Sequence, residues 1–166
     1  MKNKSVQLIT YSAIIAAVYA VLTLVPPIST ISYGMIQFRV SEALVAFSLF
    51  TPAGVWGVSL GCLIANIFNP YGFNFFDVVF GTSATILAAS LTYILRNRLL
   101  KYLWLMPLPT VILNAFIVGS YLPFLLGTGE SAWVFILSVG IGEAVVCYVL
   151  GIPLALIIKN RNILGK

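Results

Sequence analysis

Histidine is absent from this sequence, and only two cysteines and four acidic residues occur in 166 positions. Each scarcity removes a class of function. Without histidine, zinc-dependent hydrolysis and serine–histidine chemistry lose their usual base and ligands, and two cysteines are too few for a metal site. Cys62 and Cys147 both fall in apolar runs, where a thiol usually behaves as a small hydrophobe, and little favours a disulfide between them. No Gly-x-x-x-x-Gly-Lys-Ser/Thr phosphate loop occurs, so the chain does not itself hydrolyse ATP. Charged residues make up only 8% of the chain, whereas a soluble domain carries about a quarter.

What fills the sequence instead is apolar. Hydrophobic residues account for 61% of it and mean hydropathy is +1.08, which identifies an all-α integral membrane protein. One domain is expected over residues 1–166, because no loop is long enough to fold alone and no repeat stands out. Six spans can be drawn, each near the ~20 residues needed to cross a bilayer or somewhat shorter. They are Val6–Val25, Ile36–Phe50, Val55–Phe68, Phe76–Leu95, Pro107–Leu126 and Ala132–Ile158. Breakers punctuate them: Pro26-Pro27, Thr51-Pro52-Ala53-Gly54 and Asn69-Pro70-Tyr71-Gly72. The second and third are short, and a re-entrant hairpin is the alternative there. The start, Met1-Lys2-Asn3-Lys4 before an apolar run, resembles a signal peptide. That run is too long for one and no small-residue cleavage site follows, so a retained first helix is expected.

Eight of the nine basic residues are explained by topology. Lys2 and Lys4, then Arg96, Arg98 and Lys101, then Lys159, Arg161 and Lys166 form three clusters separated by even numbers of spans. They share one side, the cytoplasmic side by the positive-inside rule, and both termini lie there. This placement removes the case for nucleic-acid binding that a net charge of +5 raises. Arg39 is the exception.

Arg39 belongs to the stretch Gln37-Phe38-Arg39-Val40-Ser41-Glu42, and on a helix its three-residue spacing from Glu42 allows the two to pair. An ionisable residue in a membrane segment is costly and marks a site facing the protein interior or water. The alternative is an ion pair that only locks helices together. The spans place Arg39, Glu42, Asn66 and Asp77 in one layer of the outer half, with Glu143 beneath them near the midplane. This is the geometry of a pocket open to the outside, in which a few placed polar groups stand among aromatics. Phe38 and Phe76, beside charged positions, are the stacking candidates; Trp133 and most loop rings read as an interfacial belt. A carboxylate in such a pocket accepts from two adjacent N–H donors, as on a guanine-like edge, or holds an ammonium group. Gly140 and Gly142 allow a ligand or another helix to approach beside Glu143. Gly57, Gly61 and Ala65, and Asp77, Gly81, Ala84 and Ala88, form packing seams. Asn114 is read as an interhelical hydrogen bond rather than as a pocket floor. Ala13 with Ala17, and Ala16 with Ala20, form overlapping small-residue pairs suited to an interface with an internal helix or a separate subunit.

Four runs carry a family resemblance: Ile36-Gln37-Phe38-Arg39-Val40-Ser41-Glu42-Ala43-Leu44, Gly61-Cys62-Leu63-Ile64-Ala65-Asn66, Asp77-Val78-Val79-Phe80-Gly81 and Ser138-Val139-Gly140-Ile141-Gly142-Glu143-Ala144. Together they resemble the queuosine-precursor transport (QueT) family, the substrate-binding S subunits of energy-coupling factor (ECF) transporters, a class of ABC importer. The likeness extends over essentially the whole chain. It implies a six-helix bundle of ECF S-component type in a bacterial plasma membrane and an outward-facing pocket for a 7-deazaguanine base such as 7-aminomethyl-7-deazaguanine or queuine. It also implies partners, namely a transmembrane coupling subunit and two ATPase subunits, with Ala13, Ala16, Ala17 and Ala20 docking on the coupling subunit. No metal, cofactor or catalytic residue is expected. On this reading Glu143 holds the guanine-like edge, Asp77 or Glu42 meets a cationic side arm, and Phe38 or Phe76 stacks on the ring. Gln37 and Asn66 complete the site, while Arg39 neutralises Glu42 rather than touching the ligand first. The alternatives are an S subunit for another vitamin or nucleobase, an ion-coupled carrier, and a structural subunit without a ligand.

Overall fold

A computed structural model describes residues 4–34 and 36–161; Lys2, Lys166 and Met35, to which the sequence assigned places in the charge clusters and first loop, lie outside the described residues. Among those described, all regular structure is helical. Helix α1 (Lys4–Leu24) is followed by a short α2 (Ile28–Ser32), a 3-10 helix (Val40–Leu49) and α3 (Pro52–Ile67). A π turn (Asp77–Gly81) opens α4 (Thr82–Ile94), and the short α5 (Arg96–Lys101) follows. Next come α6 (Leu108–Leu126) and α7 (Ala132–Val146), which passes through a second π turn (Cys147–Gly151) into α8 (Ile152–Arg161).

Four helical runs are long and apolar enough to cross a membrane: Lys4–Leu24, Asp77–Ile94, Leu103–Leu126 and Ala132–Arg161. Val40–Leu49 and Pro52–Ile67 are apolar but shorter, at the two places where the sequence already raised a hairpin. Local chemistry sets the boundaries. Thr51 caps α3 by accepting from the Ala53 N–H at 3.2 Å, and Pro52 takes the first turn, where its missing N–H costs nothing. Gly127, with φ of 59°, closes α6 in the left-handed conformation and returns its N–H to the Pro123 carbonyl.

The short elements are central and the long helices surround them. Of the 3-10 helix, Ser41 to Ala46, Ser48 and Leu49 are all buried. Helices α1 and α3 run parallel beside it, with Ser12 level with Ala53 and Tyr19 level with Gly61. A methyl group on Gly57 would lie 2.6 Å from the Ile15 Cβ and one on Gly61 2.5 Å from the Tyr19 Cβ, so only glycine permits this approach. The first expected seam is therefore real, and its partner is α1. Apolar clusters pack the rest: Ile15, Tyr19, Val45 and Val58 on one side, Ala84, Val118, Phe135 and Val139 on the other, and Leu49, Leu99, Met106 and Ala155 at one end. That end also carries Lys4, Arg96, Arg98, Lys101, Lys159 and Arg161. The connections around Tyr33, Asn69 to Asn74 and Leu126 gather at the opposite end.

Candidate functional site

The chain that leads into the 3-10 helix is not helical, and this reorganises the expected site. Residues 37–39 run as irregular backbone, tied down by the Phe38 N–H on the Ile31 carbonyl at 2.9 Å. Arg39 precedes the first 3-10 turn, so the helical spacing that would pair it with Glu42 does not apply. No ion pair forms. The Arg39 guanidinium donates instead from Nη2 to Asn66 Oδ1 at 3.3 Å and from Nη1 toward Cys62 Sγ at 3.8 Å, and lies 5.3 Å from the centre of the Tyr33 ring. A cation over an aromatic face is attracted by the ring quadrupole. Burial pushes the Tyr33 phenol up to about 12, against the opposing pull of the Arg39 charge, so it keeps its proton and donates to the Ala65 carbonyl at 2.9 Å.

Glu42 is wholly buried and is held by neutral groups. Its Oε1 accepts from the Tyr19 hydroxyl of α1 and from Thr85 of α4 at 2.8 Å. Thr23 and Ser41 share a hydrogen bond of 2.7 Å one turn away, which fastens α1 to the start of the 3-10 helix. Asn66 joins the two carboxylate neighbourhoods: its amide donates to the Asp77 carbonyl at 2.8 Å and to Thr82 at 3.2 Å. The π turn makes room for this, because the Thr82 N–H bonds back to that same Asp77 carbonyl. The Asp77 carboxylate accepts from Tyr121 of α6 at 2.6 Å. Cys62 is more than packing: Thr85 and Asn66 approach its sulfur at 3.3 and 3.4 Å. Both cysteines are free thiols.

Glu143 stands apart. It is 1% exposed and receives no side-chain hydrogen bond, and its Oε2 is buried without a partner. It lies within electrostatic reach of Glu42 and Arg39. Gly142 explains the approach, since a methyl group there would fall 2.3 Å from the Gln37 carbonyl oxygen. What comes close to this glycine is thus the 37–39 segment itself. Asn114 corrects its reading: it forms no interhelical side-chain hydrogen bond, and its Nδ2 is buried unpaired.

A cavity of about 240 Å³ opens at the loop end, lined by Tyr33, Gln37, Asn74, Asp77, Leu122 and neighbouring residues. Of the predicted residues, Gln37 and Asp77 line it, and Arg39 lies behind its Tyr33 wall. Phe38 is half-buried and is not among its lining residues. Phe76 points elsewhere. One helical position from inward Asp77, its ring is 48% exposed and stacks on Phe80 and Tyr121 at 6.0 and 6.1 Å on the outer surface. The alanines divide: Ala16 and Ala20 are buried inside the bundle, whereas Ala13 and Ala17 face outward. Sequence reasoning missed Tyr19, Thr85 and Tyr121, since one hydroxyl in an apolar helix leaves the hydropathy pattern intact, and it took Tyr33 only for one of the outer-loop rings.

The sequence model of the QueT transporter family, described as "QueT transporter", matches residues 9–160. The chain belongs to the QueT transporter family. A similar curated protein, "Queuosine precursor transporter QueT" of Lactococcus lactis subsp. cremoris (strain MG1363), is 39% identical over 104 residues, covering 62% of this chain. The match spans 59% of that relative's length. No solved structure matches. The family is described as one of transporters, and that relative is named for queuosine precursors.

Proposed function

We propose that this chain is the membrane-embedded substrate-binding (S) subunit of an ECF importer and captures a queuosine precursor, a 7-deazaguanine base such as 7-aminomethyl-7-deazaguanine or queuine. The observation that carries the reading is the open cavity, walled by Gln37 and Asp77, above a buried cluster of Arg39, Glu42, Asn66 and Glu143. Asp77 meets the ammonium of an aminomethyl arm, and Glu143, a buried carboxylate with no side-chain hydrogen bond, accepts from the guanine-like edge. Six crossings of a bacterial plasma membrane, with both termini cytoplasmic, put the six described basic residues at one end of the bundle on the inner side. A coupling subunit and two ATPase subunits supply the energy, and the exposed Ala13 and Ala17 of α1 offer the close-packing face on which the coupling subunit docks.

The deciding experiment is a calorimetric titration of the purified subunit with 7-aminomethyl-7-deazaguanine, queuine and guanine. Saturable binding of a 7-deazaguanine is expected. Binding of none of the three refutes the substrate assignment, and uptake that persists in vesicles without the coupling and ATPase subunits replaces it with an ion-coupled carrier.

A further inference from the structure

Three buried polar atoms in one cluster have no hydrogen-bond partner: Arg39 Nε, Glu42 Oε2 and Glu143 Oε2. Their residues are 3%, 0% and 1% exposed. They come from three places in the chain: the segment before the 3-10 helix, its first turn, and α7. The close seat of Gln37 on Gly142 brings the first against the last. An unpaired buried polar group is costly, and three together in a densely bonded neighbourhood call for a common partner. Arg39 is otherwise engaged through both Nη atoms and Glu42 through Oε1, whereas Glu143 makes no side-chain hydrogen bond at all. The three buried, unpartnered atoms are one donor and two acceptors.

We infer that Arg39 reads the substrate directly, its Nε–H donating to a ring carbonyl while Glu42 and Glu143 accept from the ring N–H and exocyclic amine beside it. The inference rests on the 7-deazaguanine reading above and gives it a specificity residue. Carbonyl, N–H and amine in a row form an acceptor–donor–donor edge, the complement of the three free atoms. An adenine-type edge presents an amine where Arg39 presents its own N–H, so two donors would meet and neither would be satisfied. Specificity of this kind is strong because the site's own buried groups are left unpaired by the wrong ligand. Asp77, outside the triad and on the cavity wall, remains free to meet the side arm.

The test compares 7-aminomethyl-7-deazaguanine with its 6-thio analogue, which keeps the N–H and amine but replaces the carbonyl by a weak acceptor. Wild-type subunit should bind the thio form at least about tenfold more weakly, the scale of a hydrogen bond to a charged group. Arg39→Lys, which keeps the charge but has no Nε–H, should lose most of that discrimination while binding the oxo form more weakly. Equal wild-type affinity for the two bases overturns the inference and leaves water as the partner of the three atoms. Full discrimination by folded Arg39→Lys also overturns it. Should the lysine variant fail to fold, the wild-type pair still decides. Failure of both bases to bind the wild type defeats the substrate assignment itself, a result distinct from equal binding of both.

Discussion

The two flanks of the site pair their buried polar groups to different degrees. On the flank made by α1, the 3-10 helix, α3 and α4, the hydroxyls of Tyr19, Thr23 and Thr85 and the amide of Asn66 bond across elements and leave few of their own atoms idle. On the flank made by α6 and α7, Asn114 and Glu143 are as deeply buried, yet Asn114 Nδ2 and Glu143 Oε2 go unpaired. Unpaired atoms also occur on the first flank, at Arg39 Nε, Glu42 Oε2, Ser48 and Thr92, so the contrast separates the bonded network from the unpaired groups rather than one side from the other. A saturated network specifies one arrangement of helices, whereas unsaturated groups hold affinity in reserve for something that arrives later.

Substitutions can sharpen or break that contrast. The largest effect is expected from Glu143→Gln, which should weaken 7-deazaguanine binding by an amount on the order of 2–5 kcal/mol, read by calorimetry. The same variant should melt no lower than wild type, because it replaces a buried carboxyl group that has no hydrogen bond; a large drop in melting temperature would make Glu143 scaffold. Tyr19→Phe, on the opposite flank, should show the reverse pattern, losing about 1–3 kcal/mol of stability in a denaturation assay. Gly142→Ala tests the joint between the flanks: its added methyl must displace the Gln37 backbone, at a cost of about 1–3 kcal/mol, with weaker binding as Arg39 moves. Smallest of all should be Phe76→Leu, which leaves affinity unchanged in the same titration, since that ring lies on the outer surface. A clear loss there would restore Phe76 as a stacking residue.

Much of this architecture was legible because polar residues stand out against an apolar background. Glu42, Asn66, Asp77 and Glu143 were all found that way, and all are buried in the bundle. The end of α6 at Leu126 was placed correctly, whereas α3 begins at Pro52, before the expected Val55, because Thr51 caps it and Pro52 fills its first turn. The Arg39–Glu42 pair was misread because sequence spacing has meaning only on a known backbone, and the backbone at 37–39 is not helical. Phe76 was misread for a related reason: a neighbour in sequence is about 100° away on a helix, so nearness to Asp77 implied the wrong side. The hydroxyl partners were invisible because nothing in one chain's hydropathy separates a structural tyrosine from a packed one.

The central 3-10 helix carries one more consequence. Ten residues at a rise of ~2.0 Å cover ~20 Å, against a hydrocarbon thickness of ~30 Å. Irregular backbone at that depth is tolerated only where protein or water, and not lipid, surrounds it. The irregular residues 37–39 lead into this short helix, and protein rather than lipid encloses Gln37 and Arg39, each 3% exposed and seated against Gly142, Asn66 and Tyr33.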